Sequence, residues 1–103
     1  MITSKKLTTT ISSIIAGDVS QSVAVTTVYL CNSTSNVVLA NLAVVPSGRT
    51  DAGNCLIYNR LEIPGLDTRI IDAEKLILGA GDGLWASCNV GNVIIMTVSS
   101  VGI

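Results

Sequence analysis

With 103 residues, the chain is long enough for one hydrophobic core and too short for two, and its six Lys plus Arg against seven Asp plus Glu leave a net charge of -1. Charged residues make up 13 % of it, about half the ~25 % of an ordinary soluble domain, and the basic ones (Lys5, Lys6, Arg49, Arg60, Arg69 and Lys75) are scattered, which disfavours nucleic-acid binding through a basic stripe. No apolar stretch reaches the roughly 18 residues of a membrane-spanning helix, so neither nucleic acid nor membrane is expected as a partner.

Residues 1–6 carry Lys5 and Lys6 and little apolar content, and are expected as a short N-terminal arm that orders on docking; a single domain then spans residues 7–103. Lys5 and Lys6 followed by an apolar segment give only a weak signal-peptide reading, because Thr8, Thr9, Thr10, Ser12 and Ser13 dilute that segment. Residues 7–15 open with β-branched side chains as a first strand, closed by a turn at Ala16-Gly17-Asp18. Residues 22–31 form a second strand, with Val23, Val25, Thr27, Tyr29 and Cys31 on one face and Ala24, Thr26, Val28 and Leu30 on the other. Both faces are largely apolar.

The polar linker 32–36 is short enough for a hairpin, so residues 37–45 are expected to pair antiparallel with that strand. Their faces are Val38, Ala40, Leu42, Val44 and Val37, Leu39, Asn41, Ala43, Val45. The sequon Asn32-Ser33-Thr34 suits this turn better than it suits a glycan. Pro46-Ser47-Gly48 breaks the sheet and residues 49–53 continue as an exposed loop. Short strands follow at 54–58, 61–63, 67–72 and 76–78, with Ile70 opposite in face to Arg69 and Ile71, and with one possible helical turn at 72–76. The glycine-dense turn at 79–83 leads into 84–88, which is expected to form a final hairpin with 93–101 across Asn89-Val90-Gly91-Asn92. Strands recurring every ~8–12 residues indicate an all-β fold, a single antiparallel β-sandwich or a small jelly-roll-like barrel. With three aromatics, Tyr29, Tyr58 and Trp85, its core is expected to be Val, Ile, Leu and Ala.

Residues that carry chemistry are sparse. The absence of histidine removes the commonest general base and activator of Ser or Cys nucleophiles. The carboxylates Asp67, Asp72, Glu74 and Asp82 have no diagnostic spacing, Lys75 beside Glu74 suits a solvated charge, and Asp67 and Asp82 suit turns that bond nearby amides. Cys31, Cys55 and Cys88 are an odd number at unrelated spacings, each inside an apolar segment, so neither a disulfide framework nor zinc is expected. The run GAGDG lacks the following helix that a phosphate loop requires. No catalytic, cofactor-binding or metal residue is therefore assigned, and the chain is expected not to be an enzyme.

What remains is apolar strand surface. A chain that is 49 % hydrophobic, with strands apolar on both faces, would expose large patches as a monomer. It is expected to sit against copies of itself or another protein, with Val37, Leu39, Tyr58 and Trp85, and Lys5 and Lys6 of the arm, as candidate interface residues.

From Tyr29 onward, the succession YLCN, VVLANLAVVPSG, NCLIYNRLEIP, DTRIIDAEKLILGAGDGLWASC and VIIMTVSSVGI resembles small β-sandwich virion proteins of tailed bacteriophages, most tellingly in KLILGAGDGLWASC. The resemblance implies a virion component. The role expected first is capsid decoration (cement) on the shell's major capsid protein, as a homo-oligomer; a tail, neck or fibre accessory protein is the alternative. A different class, a carbohydrate-binding or host-adhesion module using Trp85, Tyr58 and loop 47–54 as a platform, stays open at this point.

Overall fold

The computed structural model describes residues 1–16, 22–72 and 76–103. The turn expected at Ala16-Gly17-Asp18 and the helical turn at 72–76 fall mostly on residues outside that set. Nine strands are described: β1 (Ile2–Lys6), β2 (Ser12–Ala16), β3 (Val23–Asn32), β4 (Val38–Val45), β5 (Leu56–Ile63), β6 (Thr68–Ile71), β7 (Leu76–Leu78), β8 (Gly83–Cys88) and β9 (Ile94–Gly102). They build two antiparallel sheets. Sheet I has the order β1-β9-β3-β6, with β7 continuing the β6 edge along β3, and sheet II has the order β2-β8-β4-β5. Two four-column sheets in these orders are the double Greek-key arrangement of a jelly roll.

The topology corrects both expected hairpins. Strands β3 and β4 do not pair, because β3 lies in sheet I and β4 in sheet II; β8 and β9 are likewise split between the sheets. The reason for the first is Asn32, buried at the end of β3. Its Nδ2 donates to the carbonyls of Asn36 (2.7 Å), Ile63 (3.0 Å) and Pro64 (3.3 Å), while its Oδ1 accepts from the N–H and hydroxyl of Thr34. These bonds turn the chain out of sheet I and tie the corner to the end of β5. The second split is held by the segment from Leu7 onward. Leu7 N–H donates to Ile94 O, Asn92 N–H to Leu7 O and Cys88 N–H to Thr8 O, so the β1–β2 and β8–β9 crossings brace each other.

The first strand also begins elsewhere than expected. Residues 2–6 run as edge strand β1 against β9, from Ile2↔Ser99 to Lys6↔Ile95. Leu7 is 1 % exposed and marks the point where the chain leaves sheet I, and β2 starts only at Ser12. The strands expected at 54–58 and 61–63 are one strand, β5, interrupted by a bulge. Asn59 and Arg60 face the single residue Asn41, Arg60 takes φ 60°, and its N–H donates to Asn41 Oδ1 at 2.8 Å.

Between the sheets lies a core of Leu, Ile, Val and Met. Leu30, Ile63, Leu78, Leu84, Ile94, Met96 and Val98 are fully enclosed, each side chain contributing about 1.5–3 kcal/mol relative to exposure. A second, smaller cluster sits on the outside of sheet II. There Ala43, Val45 and Ala52 are buried with Trp85, Ile11, Cys55 and Leu56 packed around them, because the loop through the 3-10 turn Ala52–Asn54 folds back over the sheet.

Candidate functional site

The outer faces of the two sheets have different fates. That of sheet II is partly roofed by its own loop, whereas among the described residues nothing covers the outer face of sheet I. Its composition follows from a β-bulge in β3. Val25 pairs with Ser100 and Thr27 with Ser99, leaving Thr26 as the extra residue. Beyond it the alternation changes phase: Val23, Val25, Val28 and Leu30 all turn into the core, and Ala24, Thr27, Tyr29 and Cys31 all turn outward. This corrects the face assignment made from strict alternation, which put Val23 and Val25 with Tyr29.

Cross-strand pairing arranges the outward residues in rows. One runs Lys6, Ile95, Cys31, Thr68; the next Ser4, Thr97, Tyr29, Ile70; a third Ile2, Ser99, Thr27; and the last Val101, Ala24, Ile77. Ile2 (66 % exposed), Tyr29 (39 %), Ile70 (54 %), Ile77 (61 %) and Val101 (50 %) leave substantial apolar surface in water. The remaining positions are mostly Ser and Thr, and within the described strands Lys6, at one corner, is the only charged side chain on this face. Arg69 is not on it: it pairs with the buried Leu30 and so lies on the other side of β6, reaching Glu62 O at 3.4 Å.

A second exposed apolar group lies at one end of the sandwich, where the β3–β4, β5–β6 and β8–β9 loops converge. Leu66 N–H donates to Thr34 O, Ser33 N–H to Val93 O and Asn89 N–H to Leu39 O. The tip exposes Val37 (57 %), Leu66 (74 %) and Val90 (45 %). Leu66 takes φ 54°, a left-handed conformation that costs a non-glycine residue free energy, and it is held there by its bond to Thr34.

The expected interface residues are dispersed over these surfaces. Val37 is at the loop tip; Leu39 is half-buried on the outside of sheet II; Lys5 and Lys6 lie on β1. Trp85 and Tyr58 are on opposite faces of sheet II, since Trp85 pairs with Ala43 of the outer cluster and Tyr58 with Leu42 of the core. They form no common platform with loop 47–54, part of which instead packs on Trp85 through Ala52. Tyr29, the most exposed of the three aromatics, was not singled out by sequence reasoning, and neither were Ile70, Ile77 or Leu66. The signal for Tyr29 was present in the both-face apolar pattern of 22–31, but its phase depends on the bulge.

The residues with chemical potential are occupied structurally. Asp82 Oδ2 accepts Gly79 N–H (3.0 Å) and Oδ1 accepts Ser47 N–H (2.9 Å), closing the 79–83 turn and tying it to the β4–β5 loop. Asp67 accepts Thr68 N–H. Glu74 and Lys75 lie outside the described residues. Arg49 and Asp51 form an exposed bidentate ion pair, whose hydrogen bond holds the Asp51 carboxyl down at about 2. Burial pushes the Cys88 thiol up, and its Sγ donates to Val90 O. Among the described residues no three His, Cys, Asp or Glu side chains come together as a metal site, and no helix is long and apolar enough to cross a membrane. The cleft lined by Tyr58, Leu61, Arg69 and Ile71 holds about 100 Å³, below the roughly 300–1,000 Å³ of small-molecule sites.

No known protein family matches the chain, and no curated protein or solved structure is significantly similar to it.

Proposed function

We propose that this chain is a non-enzymatic virion structural protein, a capsid decoration protein of a tailed bacteriophage that binds an assembled shell and stabilises it. The observation that carries the reading is the outer face of sheet I, four strand columns wide and, among the described residues, uncovered and with one charged side chain at its corner, which water solvates poorly and protein covers well. The resemblance of KLILGAGDGLWASC to virion β-sandwich proteins supports it. Jelly rolls recur in viral capsids, lectins and cupins, so the reading rests on the open face and not on the fold.

The mechanism is linkage. A protein that binds the assembled lattice and not its loose subunits lowers the free energy of the assembled state, and the shell then withstands heat or internal pressure better. The loop tip with Val37, Leu66 and Val90 is the surface offered to the shell, since its apolar side chains project from a corner braced by Asn32.

The test is fractionation of intact particles into heads and tails, with the chain located by antibody, followed by addition of purified protein to shells that lack it. Heads that carry the chain, and undecorated shells that gain heat resistance with it but not with Val37→Asp or Leu66→Asp, support the reading. Recovery with tails or necks selects the accessory role instead, and absence from particles refutes both.

A further inference from the structure

We infer that the outer face of sheet I is the contact between two copies of this chain, packed face to face about a two-fold axis that runs parallel to the strands between β9 and β3. The argument starts from area. Four strand columns spaced ~4.8 Å apart and about eight residues of ~3.3 Å each give a footprint of roughly 500 Å² before side-chain relief is counted. That is the order of one side of a small standard interface, about 800 Å² per partner. Among the described residues a partner chosen by charge finds almost nothing to read on this face, whereas a second copy brings the same neutral rows and a net charge of only -1, so self-repulsion is slight.

The corners of the face then fix the geometry. An axis along the strands lays the β1 edge of one protomer over the β6–β7 edge of the other while keeping the rows in step. Lys6 comes over the Thr68 corner, where Asp67 is exposed, and the apolar Met1–Ile2 end comes over Ile77. Thr97 faces Tyr29 in the middle. A cation thus meets a carboxylate and apolar meets apolar at opposite ends of the same edge. An axis in the plane of the face but perpendicular to the strands would instead bring Lys6 over the apolar Met1–Ile2 end of the partner's β1. Aligned face-to-face packing at about 30° is also what two twisted sheets adopt.

This axis leaves both loop tips on the same side of the dimer. On the virion reading, on which this consequence rests, one dimer presents two copies of Leu66, Val37 and Val90 to the lattice and gains avidity by bridging two sites. The pairing itself stands on the sheet face alone.

Sedimentation velocity of the full chain from low to high micromolar concentration tests the pairing. The wild type is expected to be a dimer, and Ile70→Lys and Tyr29→Asp to weaken it about tenfold or more without change in thermal melting. Lys6→Glu and Asp67→Lys should each weaken it about two- to fivefold, and the double variant should restore it; Val90→Lys at the loop tip should have no effect. In the wild type, maleimide labelling of Cys31 should slow as concentration rises while Cys55 labelling does not, a readout that survives any folding defect of the variants. A monomer throughout, a dimer insensitive to Ile70→Lys, or Cys31 labelling independent of concentration overturns the inference. A monomer recovered on heads refutes the pairing and keeps the virion reading; a dimer absent from particles does the reverse.

Discussion

The hydroxyl of Thr26 donates to the carbonyl of Ser99 at 3.0 Å, pinning the extra residue of β3 against β9 at the point where the strand changes phase. That bond sits at the origin of both the core and the open face. On one side of it Val23 and Val25 point inward; on the other Val28 and Leu30 do so, and Tyr29 is released to water. Thr26→Val is expected to lower stability by about 0.5–1.5 kcal/mol, seen as a shift in urea midpoint at constant slope. Deleting Thr26 forces either Val23 and Val25 or Val28 and Leu30 outward, and is expected to abolish the cooperative transition.

The buried Asn32 side chain takes part in five hydrogen bonds at the β3–β4 corner. Asn32→Ala leaves the carbonyls of Ile63 and Pro64 short of a donor at a buried corner, and is expected to cost about 2–4 kcal/mol by chemical denaturation. Because its amide is enclosed and used, the sequon is expected to stay unmodified when the chain is expressed through a eukaryotic secretory pathway, as read by intact mass.

The glycines separate into those that need to be glycine and those that do not. At Gly81, φ is 81° and an added Cβ would collide with Ser47 Oγ, whereas at Gly53 a Cβ meets open space. Gly81→Ala is expected to destabilise by more than about 1 kcal/mol and Gly53→Ala to be nearly neutral, compared by thermal melting.

The cysteines should differ in reactivity. Cys88 is buried with its thiol pushed up, so at pH 8 it holds less thiolate than an ordinary cysteine. Half-exposed Cys31 and Cys55 are expected to react first with a disulfide reagent in dilute, monomeric solution, and Cys88 only on unfolding; three equal rates would contradict its burial.

The Asp51 carboxyl, held near 2 by Arg49 against an ordinary value of 3.8, sets an acid dependence of known sign. A depressed native value gives stability that is present above about 4 and disappears as pH falls through 2. The pair is solvent-exposed, so the effect is small. The melting difference between wild type and Asp51→Asn is therefore expected at pH 7 and absent near pH 2; a difference that persists at pH 2 would contradict the assignment.

Local chemistry was legible in the sequence wherever it acts over a few residues. The all-β class, the two faces of residues 37–45, the turns at Asp67 and Asp82 and an aliphatic core with few aromatics all follow from alternation and turn chemistry, which need no knowledge of the partner strand. Which sheet each strand joins was not legible. Corners and hairpins use the same short polar linkers, and the choice at Asn32 is made by carbonyls contributed from residues 63 and 64, some thirty positions away. The position of the bulge in β3 was hidden for the same kind of reason. An apolar strand of Val, Ala and Thr fits either phase, and only the register against β9 selects one. That selection, made by tertiary pairing, is what leaves Tyr29 and Ile70 facing outward together while Trp85 is covered by the molecule's own loop.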